Sequence, residues 1–133
     1  MEENKHITLV KNLLSDLAAG KSGEEISVYY HPSIKQIEYP NALNVHGGIS
    51  DFKTIIDRVN KGKQFVRSQD FDIQREFECG NTVIVEIVWR ASFTIPVGNT
   101  QAGEEIKAFF ALFVEFENEK IIAQRNYDCF PVF

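Results

Sequence analysis

Thr82-Val83-Ile84-Val85-Glu86-Ile87-Val88-Trp89-Arg90-Ala91-Ser92-Phe93-Thr94-Ile95 sets the architecture of this chain. The run is β-branched and aromatic, holds no glycine or proline, and is broken only by Pro96-Val97-Gly98-Asn99, so it reads as one long strand. Successive side chains of a strand point to opposite faces. Val83, Val85, Ile87, Trp89, Ala91 and Phe93 fill one face without a polar residue, while Ile84, Glu86, Val88, Arg90 and Ser92 mix apolar and ionisable groups on the other. The next strand, Lys107 to Glu117, is apolar on both faces, with Phe109, Ala111 and Phe113 against Phe110, Leu112 and Val114. Asn118-Glu119 turns it, and Lys120 to Phe130 returns. Upstream, Phe71, Ile73, Arg75 and Phe77 alternate with Asp72, Gln74, Glu76 and Glu78 as far as the Gly80-Asn81 turn. The second half of the chain is therefore an antiparallel meander.

The first half reads as helix. Ile7, Val10, Leu13, Leu14, Leu17 and Ala18 recur at helical spacing up to Gly20. Ser22-Gly23-Glu24-Glu25 fits a capping box that opens a short second helix ending at His31-Pro32. Ile34 to Tyr39 is strand-like, and Ser50 can cap a third helix carrying Phe52, Ile55, Ile56 and Val59, with Gly62 at its end. Helices first and meander second define an α+β class, with three N-terminal helices on a mostly antiparallel sheet.

At 133 residues this is one domain, 1–133, long enough to bury about two-thirds of its surface without a disulfide or structural metal. The net charge of −5 argues against nucleic acid as a partner, and no apolar run reaches the roughly 18 residues of a membrane span. Met1-Glu2-Glu3-Asn4-Lys5 lacks the basic leader and apolar core of a signal peptide. Cys79 and Cys129 sit in apolar surroundings and read as free buried thiols, which points to the cytoplasm. His6, His31 and His46 lack metal-ligand spacing, so no metal is expected, and His31 reads as a helix-end residue. Seven of the 11 phenylalanines fall between Phe93 and Phe133, a concentration that reads first as core.

Several short stretches together carry a resemblance. They are Leu17-Ala18-Ala19-Gly20, Tyr30-His31-Pro32, Glu38-Tyr39-Pro40-Asn41, Gly48, Val85-Glu86-Ile87-Val88-Trp89 and Arg125-Asn126-Tyr127-Asp128-Cys129-Phe130. In order and spacing the chain resembles the nuclear-transport-factor-2-like superfamily, and within it the SnoaL-like branch of polyketide cyclases and ketosteroid isomerase relatives. The resemblance implies a cone whose helices close over a strongly curved sheet and enclose a pocket, with convex faces often paired into a dimer. It also marks departures. Where the isomerases carry a basic aspartate before a proline, this chain has Tyr39, whose phenol ionises near about 10. The positions matching that enzyme's oxyanion donors hold Leu13 and Leu112, so the steroid-isomerase constellation is absent.

By the resemblance, Gln124, Asn126 and Asp128 face the pocket and Asp128 is the acid/base candidate, with Glu86 or Arg90 as its partner. Phe109, Phe110, Leu112, Val114, Ile84 and Val88 would be the walls, with Tyr39 and His46 at the mouth. An Asp128–Arg90 ion pair bracing the sheet, with Glu86 solvated, is the competing reading of the same charges. The expected function is a pocket protein for a small apolar, ring-bearing ligand, with cofactor-free acid/base chemistry of isomerase, cyclase or hydrolase type. The alternative is a non-catalytic binding or dimerisation module.

Two further expectations concern geometry. A three-residue loop with a bulge at Lys120 is expected after Glu117, because a type I′ turn favours glycine and Glu119 is not one; it sets Phe110 opposite Asp128 and Leu112 opposite Asn126, whereas a two-residue turn would set them opposite Tyr127 and Arg125 and reverse the faces. The apolar strip of Val83, Val85, Ile87, Trp89, Ala91 and Phe93 is expected on the convex side, burying Val85, Ile87 and Trp89 in a homodimer anchored by Trp89.

Overall fold

Ile7, Val10, Leu13 and Leu14 lie along one side of helix α1 (Lys5–Ala18) and are all buried. The computed structural model describes residues 5–133, so most of the opening stretch read as leaderless lies outside it. Ser22 and Glu25 form the capping box of α2 (Gly23–Ser27): Ser22 Oγ accepts from the Glu25 N–H at 3.2 Å, and Glu25 Oε1 accepts from the Ser22 N–H at 3.0 Å. The helix then stops early. Tyr30, His31 and Pro32 open strand β1 (Tyr30–Glu38) instead of closing the helix. Proline is tolerated there because the ladder to the neighbouring strand is interrupted between Tyr30 and Lys35, so no partner asks Pro32 for an N–H. After β2 (Gly48–Ser50), Asp51 rather than Ser50 caps α3 (Phe52–Phe65), its Oδ1 accepting from the Thr54 N–H at 2.9 Å, and the helix runs on past Gly62.

Four strands complete the chain: β3 (Val66–Cys79), β4 (Thr82–Phe93), β5 (Ile106–Glu117) and β6 (Lys120–Cys129). They build a six-stranded open sheet of order β2-β1-β6-β5-β4-β3, antiparallel except where β1 runs parallel to β6. The helices cover one face of it, α1 against β3 and β4 and α3 against β1. This is the α+β arrangement of helices on a curved, mostly antiparallel sheet.

The two faces of β4 are the reverse of the expectation. Val83, Val85, Ile87, Trp89 and Ala91 point toward the helices and are buried, Val85 completely, so Val85, Ile87 and Trp89 are core and not a dimer interface. A face with no polar group is what helices bury best. Ile84, Glu86, Val88 and Arg90 lie on the helix-free side, where the charges meet partners on β3: Glu86 lies 3.7 Å from Arg75 and Arg90 3.9 Å from Asp72. Cross-strand ion pairs satisfy that face in contact with water.

Bulges set which side chains enter the helix-covered face. In β3 the pairing steps over Gln74, so Phe71 and Ile73 share the inner face with Glu76 and Glu78. Glu78 Oε1 accordingly accepts from the Ile7 N–H at 3.0 Å, and Glu76 takes Lys11 Nζ at 3.0 Å. The β5–β6 hairpin corrects the expected turn while keeping the expected register. Glu117 pairs with Lys120 across a two-residue turn in which Asn118 (φ 50°) and Glu119 (φ 62°) are both left-handed. The bulge falls at Ile122, not Lys120, between the Phe116–Ile121 and Glu115–Ala123 pairs. Phe110 therefore stands opposite Asp128 and Leu112 opposite Asn126. Cys79 and Cys129 are free but exposed, at strand ends rather than in the core. Among the described residues no helix is long and apolar enough to cross a membrane.

Candidate functional site

β6 carries Gln124, Asn126 and Asp128 on one face, so three polar side chains stand about 7 Å apart in a row. β1 runs beside them and sets Gln36 against Gln124 and Glu38 against Asn126. β5 supplies Phe110, Leu112 and Val114 on the other flank, and β4 supplies Trp89. Leu13, Leu14 and Leu17 of α1 and Ile55, Arg58 and Val59 of α3 roof the space, leaving a cavity of about 300 Å³. That volume is at the small end of ligand sites, whose usual make-up is apolar walls with a few convergent polar groups.

The polar groups are fixed to different degrees. Gln124 Nε2 donates to Asn126 Oδ1 at 2.8 Å, while Gln124 Oε1 is buried without a partner among the described residues. Arg58 reaches in from α3, donating from Nη1 to Gln36 Oε1 at 2.9 Å and from Nη2 to Ser50 Oγ. Glu38 Oε2 accepts from Asn41 Nδ2 at 2.7 Å. Burial raises the Tyr30 phenol above its ordinary value, against an opposing influence of Arg58, so it stays an O–H donor. Asp128 is pushed up to about 6, chiefly by burial and then by the charge of Glu38. A carboxyl that ionises there can both give and take a proton near neutral pH.

Aromatic rings frame Asp128. Trp89 stacks on Phe110 at 5.3 Å between centroids, and Phe130 meets Trp89 edge-on at 5.9 Å and Phe110 at 5.5 Å. Trp89 is held in place: its Nε1 donates to Gln69 Oε1 at 3.1 Å, and Gln69 Nε2 donates to the Leu17 carbonyl at 3.2 Å. The indole ties sheet to helix.

Of the residues expected in the pocket, Gln124, Asn126, Asp128, Phe110, Leu112 and Val114 meet around this cavity. Ile84, Val88, Glu86 and Arg90 do not, because their β4 face is the outer one, and Phe109 shares that side and is 55% exposed. Arg90 pairs with Asp72 rather than Asp128. Tyr39 lies outside as well, stacked on Tyr127 at 4.6 Å, and His46 is exposed in the loop after Asn41. Asn41 is a turn residue whose Oδ1 accepts from the Leu43 and Asn44 N–H groups, each at 3.0 Å.

Sequence reasoning missed Glu38, Gln36, Tyr30 and Arg58. The period of β1 could have found the first two, since Gln36 and Glu38 share parity with buried Ile34. Nothing local marks Arg58, which lies on a helix otherwise read by its apolar stripe.

No family model and no curated protein matches the sequence. Solved structures do match in shape. A proposed polyketide cyclase from Acidithiobacillus ferrooxidans aligns with TM-score 0.73 at 20% identity, over 96% of this chain and 90% of that one. The proposed polyketide cyclase IdmH of Streptomyces antibioticus gives 0.75 at 12%, covering 92% and 91%. AclR of Streptomyces galilaeus, a proposed hydroxylase, gives 0.76 at 9%, covering 95% and 79%. The fold is thus the nuclear-transport-factor-2-like one found in SnoaL-like polyketide cyclases and ketosteroid isomerase-like proteins.

Proposed function

We propose that this chain binds a small, largely apolar molecule in the cavity between α1, α3 and the sheet, and that Asp128 moves a proton on it. The observation that carries the reading is a carboxyl set among Trp89, Phe110 and Phe130 and held near 6 by burial and Glu38. A carboxylate in that state can remove a proton next to a carbonyl and return it elsewhere, without a cofactor. Asn126 Nδ2, the Tyr30 hydroxyl and the Arg58 guanidinium are the available donors for a ligand oxygen. Gln124 Oε1, buried and without a partner among the described residues, is an available acceptor for a hydroxyl or N–H on the ligand. Isomerase, cyclase and hydrolase chemistry all use such a group.

One observation favours binding without turnover. Leu13 and Leu112 line the cavity where the resemblance would ask for oxyanion donors, and neither can supply a hydrogen bond. A thermal-shift screen of ring-bearing hydroxy-ketones, followed by turnover assays of the hits on wild type and Asp128→Asn, separates the readings. Turnover lost in the variant while binding persists supports catalysis; hits that bind but never react reduce the protein to a binder.

For assembly, the helix-free face is the remaining candidate for a two-fold homodimer. Phe77 (56% exposed), Phe109 and Tyr127 lie on it beside half-buried Ile84 and Phe113, interspersed with the ion pairs of that face.

A further inference from the structure

Beside the apolar cavity lies a second one of about 520 Å³, at the corner where α1 ends, α3 ends and β3 begins. The two share Leu17, Arg58, Val59 and Gln69 as a common wall. Four cationic side chains, Lys21, Arg58, Lys63 and Arg67, line this vestibule, and no carboxylate does. That is 4 of the chain's 14 lysines and arginines at one spot in a protein with 19 acids. Arg58, Lys63 and Arg67 have no ion-pair partner among the described residues, and Arg58 spends its bonds on neutral Gln36 and Ser50. Lys21 stands 3.4 Å from Asp16, but Asp16 also accepts from the Tyr29 hydroxyl at 2.5 Å. Glu25 feels Lys21 and Lys63 but is engaged by Ser22.

Helix ends explain part of this. Lys63 in the last turn of α3 and Lys21 just past α1 complement exposed carbonyls. That account does not reach Arg58, inside α3, or Arg67, on β3.

We propose that the ligand of the cavity is an organic anion, with its apolar body inside and a carboxylate or phosphate in the vestibule against Lys63 and Arg67. This rests on the reading of the inner cavity as a ligand site and adds the charge of what fills it. The inner volume equals that of about ten waters, which suits a body of roughly ten non-hydrogen atoms. The cationic rim gathers such ligands from solution and orients them with the apolar end inward, toward Asp128.

Trp89 is the chain's only tryptophan and lines the inner cavity, so its fluorescence reports occupancy directly. The probes are decanoate, decyl phosphate and decanol, titrated against the full chain at low salt and at about 1 M salt, where screening acts within about 3 Å. The expected result is binding of both anions about tenfold tighter than decanol, with the advantage lost at high salt. Lys63→Gln/Arg67→Gln should abolish the advantage and leave decanol unchanged, while Lys61→Gln, outside the vestibule, changes nothing. Both lysines and Arg67 are exposed, so thermal midpoints should stay within a degree or two of wild type. Equal affinity for decanol and decanoate, or a ratio unaffected by the double variant, overturns the anion while leaving the cavity reading intact. No response of Trp89 to any probe overturns the anion, and the screen of ring-bearing hydroxy-ketones then decides the inner-cavity reading by itself. The tighter of the two anions fixes the head group.

Discussion

Replacing Asp128 by asparagine should stabilise the protein at neutral pH. The unfolded chain ionises this carboxyl near 3.8 and the folded chain only near about 6, so between those values the unfolded state has released a proton that the folded state still holds. Raising the pH through that window therefore favours unfolding, and above it the folded protein carries a charge it would be more stable without. The full displacement corresponds to about 3 kcal/mol. Asp128 is only half-buried and keeps part of its hydration, so we halve this to about 1.5 kcal/mol. For a chain of this length that is about 6 °C in thermal midpoint. Asparagine has the same shape, no charge, and no repulsion with Glu38. Melting curves of both proteins from pH 3.5 to 7.5 test this: the gap should be near zero at the acid end, open between 4 and 6, and stay level above. A variant that melts below wild type at pH 7, or a gap that does not change with pH, refutes the environment assigned to this carboxyl. Ligand turnover, if it depends on Asp128, should disappear in the variant that is more stable, as expected where a charge is kept for chemistry.

Glu38→Gln removes the smaller of the two causes, so the pH midpoint of any Asp128-dependent activity should fall by less than one unit, and an unchanged midpoint would show that Glu38 is not felt. Val85→Ala should lower stability by about 2 kcal/mol in urea melts independently of protein concentration, because Val85 is core; a concentration-dependent loss would restore the interface reading. Phe109→Glu on the helix-free face should leave the melting curve within about 0.5 kcal/mol of wild type but convert a dimer to a 15.2 kDa species in sedimentation equilibrium, and a wild type already at that mass removes the dimer. Leu112→Phe should fill the cavity and weaken every ligand found by thermal shift, whereas undiminished binding would place those ligands elsewhere.

The elements themselves were legible because each is written in local chemistry: the leucine spacing of α1, the Ser22–Glu25 capping box, the unbroken β-branched run of β4. Faces were harder. Glu86 and Arg90 read as pocket groups only while the wholly apolar side of β4 was assigned to another copy of the chain; the complementary Asp72 and Arg75 on β3 were the sign that these charges meet each other in water. The bulge at Gln74 further obscured β3, since it carries Glu76 and Glu78 inward where simple alternation sends them out. On β6 the resemblance implies the inward set, and the expected register forms although the expected turn does not, because a bulge at Ile122 adds the offset expected at Lys120. Arg58 and Glu38 meet the β6 row only through tertiary structure, from a helix and a strand some 70 to 90 positions away, and no local pattern marks such neighbours.

The bulge at Ile122 makes β6 a strand with two possible phases. Straightened, it would set Tyr127 opposite Phe110 and Arg125 opposite Leu112, turning a phenol and a guanidinium inward and sending Asp128, Asn126 and Gln124 to the outer surface. The same ten residues thus spell two binding chambers, one acidic and one basic, and a single backbone irregularity selects between them. A lineage, or an engineer, could re-equip this scaffold without touching one side chain of the chamber wall, by moving that irregularity along the strand.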